Sequence, residues 1–173
     1  GRKPMTTPSP ITIVAANKLG KSIALRPQQH SRHVFAHLVQ ADDRFDVTLC
    51  NPPFHASARE AASANQRKLR QLGTASAPSL RQTPALNFGG HAHELWCEGG
   101  EAEFLRRMVK ESAEFPEQVR WFSSLVARAE HLPALRSQLR RMGAAAVREV
   151  PMAQGSKQSR FIAWTFQDGK PES

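Results

Sequence analysis

The run Phe45-Asp46-Val47-Thr48-Leu49-Cys50 closes on Asn51-Pro52-Pro53-Phe54, and this junction restricts the fold more than any other stretch. β-favouring residues without a breaker, bounded by Pro-Pro, predict a buried strand rather than a helix. In open α/β sheets, ligands bind just beyond the carboxyl ends of the strands. A polar side chain held there by two prolines is placed like an active-site residue. Asn51 offers an amide oxygen, and the Pro52 carbonyl has no competing donor on Pro53, so both can accept from an NH2 group. Phe54 adds a flat surface on which a planar ring can stack. Two acceptors beside an aromatic face suit a planar exocyclic amine: they orient it and draw its lone pair out of conjugation, ready to attack an electrophilic methyl group. Asn and Pro are also common turn residues, so the tetrapeptide by itself leaves a plain turn open.

The 173 residues suffice for one domain with a real core, and the hydrophobic content of 40% fits a globular protein. Residues 1–10, rich in Pro and Thr, are expected to be a disordered leader. A short helix is expected from Ile11 to Leu19, stopped by Gly20, and then a short strand from Ser22 to Arg26 before Pro27. His30, His33 and His37 would share one face if their segment is helical, but no Cys or acidic residue at ligand spacing completes a metal site. No metal is expected.

Beyond the Asn-Pro-Pro-Phe junction, residues 56–90 form a basic connector, read as an active-site loop or a mobile segment. Two Gly-Gly pairs, Gly89-Gly90 and Gly99-Gly100, suggest tight backbone approaches. Glu101–Ser112 predicts an amphipathic helix with Phe104, Leu105, Met108 and Val109 on one face. Val119–Val126, apolar on both faces, predicts a central strand. Leu132, Leu135, Leu139 and Met142 give helical spacing, with Pro133 in the first turn and Gly143 at the end. Ala145–Val150 and Phe161–Phe166 predict two strands whose connection is too short for a crossover helix, hence an antiparallel hairpin. Residues 169–173 remain as a tail.

The formal net charge of +9 points to a polyanionic partner. It is spread unevenly. Residues 51–90 carry Arg59, Arg67, Lys68, Arg70 and Arg81 against Glu60 alone, which suits a nucleic-acid contact or a loop kept soluble by charge. No apolar run approaches a membrane span, and two distant cysteines argue for a reducing cytoplasm rather than a disulfide framework.

Taken together, Cys50-Asn51-Pro52-Pro53-Phe54-His55, Leu86-Asn87-Phe88-Gly89-Gly90, Glu94-Leu95-Trp96-Cys97-Glu98-Gly99-Gly100-Glu101 and residues 152–164 resemble the bacterial 23S ribosomal RNA adenine-N(6) methyltransferases. The similarity runs from about Ile13 to Asp168, so residues 11–168 are read as a partial methyltransferase domain. It implies an α/β fold: a Rossmann-like S-adenosylmethionine-dependent methyltransferase sheet, incomplete and ending in an antiparallel hairpin. It also implies that Asn51 and the Pro52 carbonyl hold the adenine amine, that Pro53 stiffens the turn and that Phe54 stacks on the base. Asn51 would border the S-adenosylmethionine site, and the base would reach the turn unpaired or extruded. Arg67, Lys68, Arg70, Lys157 and Arg160 are the candidate contacts to RNA phosphates, from charge and loop position. Alternatives are amino-methyl transfer to DNA adenine or protein glutamine, or a non-catalytic RNA-binding fragment. The family starts with a strand, a Gly-rich turn and a second, acid-bearing strand. Here there is no G-x-G-x-x-G, and no acidic residue precedes Asp42. The chain is therefore expected to be a carboxyl-terminal part with open strand edges, lacking most of the cofactor site.

Overall fold

Strand β2 (Val119–Val126) is the axis of the molecule, as its two-sided apolar pattern requires. The computed structural model describes residues 9–53, 55, 97–154 and 157–168. On one side β2 pairs in parallel with β1 (Phe45–Val47), in register Phe45 to Val119 and Val47 to Trp121. On the other it pairs antiparallel with β4 (Lys157–Thr165), which pairs in turn with β3 (Ala146–Gln154). The sheet order is β1-β2-β4-β3. The hairpin is longer than its apolar residues suggested. Polar residues expected in the connection extend the ladder to Gln154 opposite Lys157, so Lys157 and Arg160 lie on a strand and not in a loop.

Helices α2 (Gly100–Ser112) and α3 (Leu132–Arg141) cover one sheet face. Leu105, Met108 and Val109 of α2 and Leu132, Leu135 and Leu139 of α3 are buried against Phe122 and Val126 of β2 and Ile162 and Trp164 of β4, whereas Phe104 is only half-buried and Met142, past the end of α3, is exposed. Phe122 and Trp164 stack at 5.8 Å between centroids, and Phe35 meets Phe122 edge-on at 5.3 Å. The Trp164 indole N–H donates to Ser112 Oγ at 2.9 Å, and that hydroxyl donates to the Val109 carbonyl at 2.8 Å. Trp164→Phe keeps the stack but leaves the Ser112 oxygen without its donor inside the core. It should lower stability by about 1–2 kcal/mol in urea unfolding, and an unchanged midpoint would contradict this reading.

Two expectations fail here and the condition set on a third is not met, each for a local reason. Helix α1 (Pro10–Ala16) starts at Ser9, whose hydroxyl accepts from Thr12 N–H, but ends well before Gly20. The Asn17 side chain caps it by donating to the Ile13 carbonyl, and Lys18 takes the left-handed turn at φ 56°. Residues 22–26 form no strand: Ile23 and Leu25 are exposed, and Arg26 turns instead to the Leu38 carbonyl and the Asp43 carboxylate. That guanidinium holds the Asp43 carboxyl at about 2. The segment with His30, His33 and His37 is built of turns, and His37 itself sits at φ 70°.

A fourth correction concerns β1. The sequence predicts a buried strand, yet Phe45, Val47 and Leu49 are exposed, Leu49 at 78%. Among the described residues β1 pairs on one side only. An apolar strand open at its margin is a template for pairing with another chain.

Candidate functional site

The acceptor turn is fixed by β2. The Cys50 carbonyl accepts from Leu125 N–H at 2.9 Å, and Thr48 N–H donates to the Trp121 carbonyl at 2.9 Å. Ser123 Oγ donates to the Thr48 carbonyl at 2.6 Å. These bonds carry the strand direction past Val47, so Asn51 emerges where a parallel strand ends. Asn51 is exposed, while Pro52 and Pro53 are buried. A polar residue presented to solvent on two packed prolines is the arrangement that the sequence led us to expect. Phe54 lies outside the described residues, as do Arg67, Lys68 and Arg70.

The far side of the turn is tied to the start of α2. Cys97 N–H donates to the His55 carbonyl at 3.0 Å, Gly100 N–H donates to the Cys97 carbonyl at 2.9 Å, and the Cys97 thiol donates to the Gly100 carbonyl at 3.1 Å. Gly99 occupies φ 79°, and a Cβ there would lie 2.5 Å from Glu103 Cβ, so only glycine fits. The second Gly-Gly pair is thus the entry to α2, packed against the end of the acceptor turn.

Glu101 has a part that its polar character hid. It is buried at 3% exposure and reaches across to the turn after β2. Its carboxylate accepts from Ala127 N–H at 2.6 Å, from Arg128 N–H at 3.2 Å and pairs with His131 Nδ1 at 2.7 Å. One side chain therefore fastens the carboxyl end of β2 to the helix that follows the acceptor turn. A Glu in the first turn of a helix reads simply as favourable to the helix dipole, which is why sequence reasoning passed over it.

The titrating groups near the turn point away from covalent chemistry. Burial pushes the Cys50 thiol up to about 11 and raises that of Cys97 as well, so both stay protonated at neutral pH and are poor nucleophiles. The three histidine rings approach one another at 4.8–6.1 Å between centroids, and His33 is held by Glu111. No group of three or more His, Cys, Asp or Glu among the described residues could hold a metal ion. Likewise, no helix among them is long and apolar enough to cross a membrane. What the turn offers is hydrogen-bond acceptors in a fixed place, which suits orientation of an amine.

Comparison with known proteins supplies the family and the fold. The sequence pattern of a family described as RNA methyltransferase matches residues 3–168. Ribosomal RNA large subunit methyltransferase F of Pseudomonas entomophila is 54% identical over 156 residues, covering 90% of this chain and 49% of that protein. The namesake from Pseudomonas putida is 50% identical over 165 residues, covering 95% and 52%. The chain spans about half the length of the curated relatives it matches. Among solved structures, the hMettl16 catalytic domain in complex with the MAT2A 3'UTR hairpin 1 superposes with a TM-score of 0.63 at 27% identity, covering 90% of this chain and 50% of that one. The sheet described above is accordingly part of a Rossmann-like methyltransferase sheet.

Proposed function

This chain belongs to the RNA methyltransferase family, and from that premise we propose that it carries the acceptor half of an S-adenosylmethionine-dependent adenine-N(6) methyltransferase acting on 23S ribosomal RNA in the cytoplasm. The observation that carries the reading is Asn51, exposed on buried Pro52 and Pro53 at the end of β1 and locked to β2 through the Cys50 carbonyl. When bound, S-adenosylmethionine supplies the electrophilic methyl group. This chain's own residues supply position. The Asn51 amide oxygen and the Pro52 carbonyl accept the two N–H bonds of the adenine amine, and Phe54 stacks on the base. The amine nitrogen is then held with its lone pair out of the ring plane, facing the donor. A strong base is not required, because the amine becomes acidic only as the methyl group arrives. Arg67, Lys68, Arg70, Lys157 and Arg160 remain the proposed contacts to RNA phosphates, the last two now from a strand. Asn51 borders the donor as well as the acceptor. Residues 11–168 form the partial methyltransferase domain in this reading.

A second reading is favoured by the half-length match to the relatives: a fragment that binds RNA without transferring methyl groups. Calorimetric titration of the chain with S-adenosylmethionine, followed by transfer of labelled methyl to 23S transcript, duplex DNA or a glutamine peptide, separates the readings. Saturable one-to-one binding with label confined to adenine of the transcript is expected of the longer Pseudomonas relatives, and in this chain it would show a working donor site. A folded sample with no heat of binding and no label would leave only the fragment reading.

A further inference from the structure

Where α2 and α3 diverge they leave a cleft of about 760 Å3, room for one or two nucleotides. It opens beside the acceptor turn: Glu98 and Gly99 on its wall directly follow Cys97, whose N–H is bonded to the His55 carbonyl. His131, held by Glu101 after the end of β2, forms another part of the wall. Four arginines line it, Arg32, Arg106, Arg107 and Arg141, against the carboxylates of Glu98, Glu103 and Glu130. The balance is less even than this count suggests. Arg106 already holds Glu103 through two hydrogen bonds of 2.7 and 2.6 Å. Glu130 stands on the rim, 71% exposed, 3.7 Å from Arg128. Among the described residues this leaves Arg32, Arg107 and Arg141 facing Glu98, with Glu103 also within electrostatic reach of Arg107.

Arg107 is the telling side chain. Its Nε is buried without a hydrogen-bond partner. Among the described residues its Nη1 makes one long contact, 3.4 Å, to the Arg32 carbonyl. A guanidinium carries five N–H donors, and leaving one buried and unmet is costly unless an acceptor arrives. The Cys97 thiol beside it accepts weakly and stays protonated. A phosphate offers several strong acceptor oxygens in the planar fork geometry that arginine prefers.

We propose that this cleft binds the phosphodiester backbone of the RNA strand beside the target adenine, with Arg107 and Arg141 as its principal contacts and Arg32 at its mouth. The inference rests on the RNA reading above, and it places backbone contacts on a surface that sequence reasoning did not single out. One end of the cleft, at Gly99 and His131, lies at the carboxyl end of β2, and the cleft runs from there along α2 and α3 to Arg107 and Arg141. A strand whose unpaired base enters the Asn51 turn can therefore continue into it. Phosphate contacts here would fix the register of the strand without reading its sequence.

The test is fluorescence-anisotropy binding of a twelve-nucleotide single-stranded RNA to the full 173-residue chain, without cofactor, across a series of salt concentrations. Arg107→Gln and Arg141→Gln should each weaken binding about tenfold, the effect of one charge-assisted contact. Each should also flatten the slope of log affinity against log salt by about 0.7. Arg140→Gln, the same charge removed from the part of α3 that faces Val147 and Glu149, should change affinity less than twofold. Arg141 is exposed, so its variant remains informative should Arg107→Gln unfold, as circular dichroism would show. Wild-type affinity in both cleft variants would overturn the proposal, as would an equal loss in Arg140→Gln, which would mean non-specific attraction. Absence of RNA binding by the wild-type chain would overturn it too. Binding is read without methyl donor, so a failed transfer assay leaves this measurement standing. Conversely, unaltered cleft variants leave the acceptor role of Asn51 untouched.

Discussion

Alanine at Asn51 should lower methyl transfer to 23S RNA by at least about a hundredfold while leaving RNA affinity within about twofold. The first half follows from the kind of interaction removed. An acceptor aimed at a group whose charge changes during reaction contributes more in the transition state than in the ground state, and loss of one such fixed partner typically costs a factor of about 10²–10³. The second half follows from its small share of the contact surface, since phosphate contacts dominate affinity for a nucleic acid. Asn51→Asp is the sharper probe. It keeps an acceptor oxygen on the same short side chain, so it should retain more transfer than alanine. The rates are to be measured as single-turnover transfer of labelled methyl, in the longer Pseudomonas relative carrying the corresponding substitution. An alanine variant with most of the wild-type rate would remove Asn51 from the mechanism. Equal loss of RNA affinity and rate would instead make it a binding residue.

The acceptor turn was legible because its chemistry is local. A strand that ends in Asn-Pro-Pro needs no distant partner to present a carboxamide, and the bond from Leu125 N–H to the Cys50 carbonyl anchors that turn to β2. Helices α2 and α3 were legible for the same reason: their apolar spacing matches the helical period, and those residues fill the core except Phe104, half-buried at its edge, and Met142, exposed just past the end of α3. The hairpin was recognised but cut short, because Gln154, Lys157 and Gln158 are polar while the ladder pairs their backbone. The burial of β1 was misread because an apolar run states what a strand can bury and not what covers it. Glu101 and Glu111 escaped notice for the opposite reason. Both are charged residues on a helix, conventionally assigned to solvent, and both are buried because backbone N–H groups far away in sequence converge on them. No single-residue property encodes that convergence.

Glu111 yields the largest expected effect on stability. Its Oε2 accepts from three consecutive backbone N–H groups, Val34 at 2.8 Å, Phe35 at 2.9 Å and Ala36 at 3.1 Å, and its Oε1 lies 3.2 Å from His33 Nδ1. Three successive amides folded around one carboxylate form an anion-binding concavity. It seats Phe35 against Phe122 and fixes the segment that leads, through Asp43, into β1 and the acceptor turn. Glu111→Ala would leave three partly buried donors unmet, so a loss of about 3–5 kcal/mol is expected, or roughly 10 °C in melting temperature for a chain of this size. Glu111→Gln keeps an acceptor and the shape, so it should lose about half as much. The pH dependence distinguishes the carboxylate from mere bulk. Burial raises the Glu111 pKa, but the three amides and His33 more than offset this and leave it below the ordinary value. A carboxyl depressed in the folded state adds stability above its unfolded pKa of about 4.3, and that contribution fades as pH falls through the lower folded value. The wild-type advantage over Glu111→Gln should therefore be full at pH 7 and shrink below about pH 4, in thermal melts at fixed ionic strength. A gap that stays constant down to pH 3 would assign the stabilisation to packing and not to charge. The same loosening should reach the site, because the anchored segment delivers Asn51. Methyl transfer by Glu111→Ala should fall even at temperatures where the variant remains folded.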